Sequence, residues 1–443
     1  MSAEIRQMRT AAEQGLLDTF GAVKDKLPGG GKVAAARSAA FRRFEAQGLP
    51  HRRVEEWKYT DLRALMRDAK PLARPPEAGA KTRARGAGQV LADVDCRRIV
   101  FVDGTLVPEL SELADLEAGL SIRSTARALA EGDPGVVERL GRTVQVDDNI
   151  AVALNTAFMG DGAVIHVASG VRIARPLHLV FVAGDAPSAA FTRSLVVVDK
   201  AACAMIVETH EGLPDSDYQV NTALELVVDD EAHVDHVKIT TEGANALHVS
   251  TLMAAVGARA RFNAFTFNAG GAVVRNQLFV QLNGEGTLAG IRGATLVKGR
   301  EHVDTTLVAD HAVGGCQNRP IFKSVLDGES RAVFQGKIIV RPRAQKTDAK
   351  MASHALLLSE NAEADNKPEL EIFADDVQCG HGATTGALDQ ELLFYLRTRG
   401  IPAKEAEALL IQAFVGEAIE GIEHAGLREA LIEATERWLS ARA

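Results

Sequence analysis

Short runs dense in valine and other β-formers dominate the middle of the chain: HLVFVAG, RSLVVVD, ALELVV, HVDHVKI, NQLFVQL, TTLVAD and GKIIV. Gly, Asp and Asn punctuate them at short intervals, the pattern of many short strands joined by tight turns. Valine is dense from Val100 to Val340, and after Val377 only Val415 remains. So long a series of strands suits a sandwich array, a large barrel or a β-helix. The chain has 443 residues, more than one ordinary core organises, and only 5% of them are aromatic. Both facts favour the solenoid, whose thin coils stack around an aliphatic interior and lengthen without widening. No fixed repeat length stands out.

Helical periodicity flanks this region. Ile5, Met8, Ala12, Leu16, Phe20, Val23 and Leu27 recur at three- and four-residue spacing, which predicts an amphipathic helix from Ser2 to about Leu27. Val33, Ala36, Ala40, Phe41 and Phe44 predict a second, stopped at Gly48-Leu49-Pro50. Lys70 to Gly88, rich in Pro, Ala, Gly and Arg, reads as a linker. From Asp389, a helix cap, helical spacing returns in three stretches. The expected organisation is a helical region with linker over 1–96, a β core over 97–385 and a helical domain over 386–443.

Several kinds of chemistry are excluded or disfavoured. Cys96, Cys203, Cys316 and Cys379 stand too far apart for a local zinc or iron–sulfur motif, and a disulfide framework is equally disfavoured. A net charge of −9 argues against nucleic-acid binding by general electrostatics. The opening MSAEIRQMRTAAEQ has no apolar signal core, and no run approaches the ~18 apolar residues of a membrane span. A reducing, cytoplasmic setting is expected. GGGK at 29–32 lacks the leading glycine and the Ser or Thr of a phosphate loop, so the chain has no nucleotide site of its own and this is a turn. His233 and His236, three apart on a strand, face opposite sides and do not chelate together. Asp229, Asp230 and Glu231 read as a solvated turn, with a calcium cleft as the alternative. Lys337, Arg341, Arg343, Lys346 and Lys350 read as edge protection.

The richest segment is PELEIFADDVQCGHGATTGALDQELLFYLRTR, from Pro368 to Arg399. Cys379 and His381 lie two apart, hence on one face of an extended strand, and a thiol with an imidazole makes half a coordination shell for iron or zinc. Spacing alone leaves open a buried thiol and a hydrogen-bonded histidine at a domain junction.

ADDVQCGHGATTGALDQELLFYLRTRGI, from Ala374 to Ile401, resembles the C-terminal signature of the SufB/SufD family of SUF iron–sulfur cluster assembly proteins. ALLLSENAEADNKPELEI and EEWKYTDL, Glu55 to Leu62, are similar to further family motifs. His381 before GAT, and an N-terminal region without a cysteine cluster, resemble the SufD branch more than the SufB branch. The resemblance implies a mainly β protein with a right-handed parallel β-helix core between N- and C-terminal helical regions. It implies a non-catalytic scaffold that pairs with a SufB-like subunit through the β-helix and binds a SufC-like ATPase through its C-terminal helices, with a homodimer left open. His381, accompanied by Cys379, matches the family's interfacial position for a transient iron–sulfur cluster shared with the partner. A SufB-like paralogue would instead need a core cysteine, for which Cys203 and Cys316 are the candidates, and a structural or carbohydrate-active β-helix would need the calcium cleft.

Overall fold

The computed structural model describes residues 8–146 and 148–442. Its centre is a parallel β-solenoid of about eight turns. Successive strands alternate between a nine-stranded and an eleven-stranded sheet, and each pairs in parallel with its counterpart one coil away. In the nine-stranded sheet, for example, Leu247–Val256 lies between Gln219–Val228 and Val273–Leu282. Antiparallel pairing occurs near the N-terminal end, at Arg97–Val102 with Thr105–Leu106 and at Leu120–Ser124 with Ala163–Val167.

Alternation along each strand builds the interior. Ile206, Val234, Phe262 and Ile291 point inward from one sheet to meet Leu224, Leu252, Leu278 and Leu307 from the other. Each such side chain, fully buried, contributes on the order of 1.5–3 kcal/mol. The few inward aromatics pack on one another, as Phe322 does on Phe334 with ring centroids 4.4 Å apart. No repeat is visible in the sequence because coil length drifts: register partners on adjacent coils lie 26 residues apart at Ser250–Asn276 and 32 at Arg331–Glu363.

One part of the interior is polar. At the ends of three adjacent coils the inward positions are Glu208, His210, Lys238, Thr240, Asn268, His248, Ser250 and Asn276, all buried. Lys238 donates to Thr240 Oγ1 (2.8 Å) and Asn276 Oδ1 (3.1 Å). Burial pushes its ammonium down to about 8 and the His210 imidazole down to about 4.

Helices cover both outer faces. Ala11–Val23, Lys32–Gln47 and Ile150–Phe158 bury Phe20, Phe41, Phe44 and Phe158 against Leu247 and Val249 of the nine-stranded sheet. Ala403–Ile419 and Ala425–Arg442 bury Ile411, Val415, Leu431 and Trp438 against Val237, Phe267 and Leu296 of the other. Among the described residues no helix is long and apolar enough to cross a membrane.

The structure departs from the sequence reading in several places. The first helix starts at Ala11, because Thr10 and Glu13 close a capping box, and it ends at Val23; Ile5 lies outside the described residues. The second helix ends as expected at Gly48, whose φ of 74° favours glycine and where a Cβ would meet Glu13 Oε1 at 2.6 Å. Lys70 to Gly88 is no free linker: Leu72 bridges to Ala189, and Ala84 and Ala87 pack on Val100 and Val180. The strand series is interrupted by the helices Thr125–Glu131, Pro134–Val137 and Ile150–Phe158. The last is capped by Asn149, and its apolar side chains complete the N-terminal helical cluster.

The basic strip protects no edge. Lys337 lies on Arg331–Val340 and Lys350 on Asp348–Leu357, each flanked on both sides by other strands, and the cations between them lie in the connecting turn. Lys337 reaches Glu371 (2.5 Å), Arg341 reaches Asp310 (2.9 Å) and Lys346 pairs with Asp376, so these cations bridge neighbouring coils. Asp229 to Glu231 form an inter-coil turn, with Asp230 accepting from the Ala258 amide (2.6 Å) and Glu231 paired to Arg259 (2.7 Å). His233 and His236 face opposite sides: His236 hydrogen-bonds the interior Glu208 (2.7 Å), while His233 approaches Asp235 on the outer surface (3.4 Å).

Candidate metal centre at the end of the solenoid

Cys379 and His381 both lie on Gln378–Gly386, the last strand of the eleven-stranded sheet. Its register puts Cys379 beside Ala349 and His381 beside Met351. Ala349 and Met351 are interior residues, so the thiol and the imidazole continue the inward-facing column one coil further. Cys379 is half-buried against the interior cluster; His381 is exposed because no further coil stacks over it. Among the described residues this strand pairs only with Asp348–Leu357, and the last strand of the other sheet, Glu363–Ile372, only with Arg331–Val340. Both therefore present free backbone groups along one edge.

The chemistry of the pair suits iron. Burial pushes the Cys379 thiol up from its ordinary range, so the protein does not hold it as a standing thiolate; coordination to a cation would remove its proton. Cys379 offers sulfur and His381 nitrogen on one strand face, donors that could fill two positions of an iron shell. The other cysteines are also free thiols, spread through the fold. Cys96 and Cys316 are buried, and burial raises both thiols, Cys96 to about 11. Cys316 lies within hydrogen-bonding distance of the carbonyl of Gly284 (3.3 Å), and Cys203 opens a strand on the flank of the solenoid. None of these three joins Cys379 at the open end.

Two further sequence motifs have structural positions. In Glu55–Leu62 the Trp57 ring is buried under the Arg275 guanidinium, and Thr60 Oγ1 donates to Asp304 Oδ2 (2.5 Å), locking the segment to the solenoid. Asp389 caps the helix Gln390–Thr398 by accepting from the amides of Glu391 and Leu392. That helix leaves Leu392, Phe394 and Tyr395 exposed, Phe394 by 69%. The sequence reading passed over the polar interior around His210 and Glu242; its available signal was Glu208 and His210 two apart on the strand CAMIVETHE, polar where the inward positions Ala204 and Ile206 are apolar.

The architecture defines the class as a helix-sheathed parallel β-solenoid, with a thiol and an imidazole on the inward face of its last strand. Comparison with known proteins gives the family. The family described as "SUF system FeS cluster assembly, SufBD core domain" matches residues 181–414, and "SufBD protein N-terminal region" matches residues 12–179. The chain belongs to the SufB/SufD family and resembles SufD within it. It is 32% identical to the iron–sulfur cluster assembly protein SufD of Escherichia coli over 391 residues, 87% of this chain and 88% of the relative. A SufBD family iron–sulfur cluster assembly protein of Synechocystis is 32% identical, covering 86% and 85% of the two chains. SufD of Bacillus subtilis is 27% identical over 66% of this chain and 68% of its own. The chain is thus a SufD-like iron–sulfur cluster assembly protein.

Proposed function

We propose that this chain is a non-catalytic scaffold subunit, in which Cys379 and His381 supply part of the shell of a nascent iron–sulfur cluster and a SufB-like partner supplies the rest. The observation that carries this reading is the position of both donors on the inward face of the last strand, at an end where no coil covers them. A cluster is cargo here, held transiently and passed on. Two donors are too few to retain it, so the scaffold works only as half of an interface.

The free edges of Gln378–Gly386 and Glu363–Ile372 support pairing through the β-helix, since an unpaired strand recruits another strand by backbone hydrogen bonds. Ile372 and Phe373, exposed beside that edge, add apolar contact area. The C-terminal helices are the proposed seat of a SufC-like ATPase, on the strength of the unburied Leu392, Phe394 and Tyr395. ATP-driven rearrangement is then the partner's work, to which this chain responds. Four free thiols fit a cytoplasmic, reducing setting for the assembly.

Co-expression with SufB-like and SufC-like subunits tests the reading. A stable complex that accumulates iron and sulfide anaerobically is expected; a chain that co-purifies with neither subunit contradicts it.

A further inference from the structure

The polar part of the interior contains a constellation that the end site does not use. His210, Glu242 and His248 are buried, and their potential ligand atoms all lie within 4.8 Å of one another. His248 Nδ1 is 2.9 Å from Glu242 Oε2. The two imidazoles meet edge to face, centroids 4.8 Å apart, and Phe181 stacks flat on His210 at 4.7 Å and fixes its plane. His210 and His248 come from opposite sheets, and Glu242 from the end of the strand His233–Thr241.

His210 Nδ1 and His248 Nε2 are buried without a partner, while His248 Nδ1 and Glu242 Oε2 face only each other. Glu208 serves two histidines, Oε1 at 2.7 Å from His236 and Oε2 at 3.4 Å from His210 Nε2. Lys238 spends its ammonium on Thr240 and Asn276. An orphaned buried polar atom is costly and native proteins tolerate few of them, so two imidazole nitrogens left bare beside a buried carboxylate call for a ligand. Beside His210 and Glu242 lies a cavity of about 20 Å³, lined also by the half-buried Asp103, Ala183 and Ser188. That is room for about one water or one ion. A cation engages three of these side chains at once.

We propose that His210, Glu242 and His248 form a buried binding site for one first-row divalent cation of the zinc or ferrous class, a site separate from Cys379 and His381. Two imidazoles and a carboxylate are the donor set such ions take, with ligand bonds of about 2.0–2.2 Å, so the side chains must close in slightly from the 4.8 Å envelope. Because the histidines belong to facing sheets, the ion acts as a cross-sheet staple at the part of the solenoid where apolar packing is thinnest.

The test uses the full chain carrying Cys379→Ser and His381→Ala, which removes the end site as a competitor. After chelator treatment it is titrated anaerobically with Co²⁺, a spectroscopic stand-in for either ion. One equivalent bound with visible d–d bands, no thiolate charge-transfer band and a raised melting temperature is expected. Glu242→Gln keeps the shape and should weaken binding by more than about tenfold, with His248→Ala as the second variant. Elemental analysis of the untreated protein distinguishes zinc from iron. Absence of stoichiometric binding by the folded parent, or unchanged binding in both variants, overturns the proposal.

Discussion

The Arg275 guanidinium lies 4.7 Å from the centroid of the Trp57 ring, closing a buried pile in which Arg275 also pairs with Asp304. Neither charged partner is accessible, and Arg275 additionally donates to the Glu56 carbonyl (2.7 Å). The N-terminal motif thus covers a charge pair on the outer face of the solenoid. Trp57→Ala removes a buried ring and uncovers that pair, and should destabilise the protein by about 3–5 kcal/mol in urea unfolding. Arg275→Ala, which leaves the buried Asp304 without its counter-charge, should cost about as much. A loss below about 1 kcal/mol in either variant would mean that the segment is only loosely docked.

Stability should fall with acid well before the carboxylates titrate. Burial pushes His178 down to about 3 and His311 down to about 4, against about 6.5 in an unfolded chain. Below about pH 6.5 the unfolded chain takes up protons that the native one refuses, so the stability present above that pH is lost as pH falls toward 4. Each histidine contributes a slope of about 1.4 kcal/mol per pH unit there. Urea midpoints measured between pH 7 and 5 should drop, and less steeply in His311→Gln and His178→Gln. Slopes equal to the parent's in both variants would rule these histidines out as the cause.

Phe394, exposed on the helix Gln390–Thr398, bears no load in the fold. Phe394→Ser should therefore leave the melting temperature of the isolated chain unchanged. If this helix docks the ATPase, the substitution should weaken co-purification by roughly tenfold or more, as expected for an aromatic anchor. Undiminished binding in a pull-down titration would move the ATPase seat elsewhere.

The solenoid was legible in the sequence because its cause is local: many short valine-dense strands, cut by turn residues, leave few architectures. Coil length was not, since turns such as that at Asp229–Glu231 vary while only the strands stay in register. The helix Ile150–Phe158 escaped because nine residues inside a strand-rich stretch carry too short a period to stand out, and its Asn149 cap resembles a turn residue. The ion pairs of Lys337 and Arg341 depend on acids a full coil away, which no local reading pairs. Cys379 and His381 were found from two-residue spacing and motif, but only the register beside Ala349 and Met351 identifies their face as the inward one. The contact between His210 and Glu242, closed by the coiling itself, has no local signal.

The central claim is tested most directly by the iron and acid-labile sulfide content of the reconstituted complex, measured anaerobically for the parent, His381→Ala and Cys379→Ser. Because His381 is exposed and Cys379 half-buried at the last coil, circular dichroism and subunit composition should be unchanged in both variants. The account expects cluster content to fall several-fold in His381→Ala and to fall also in Cys379→Ser. Parent-level iron and sulfide in both, with the complex intact, would contradict it.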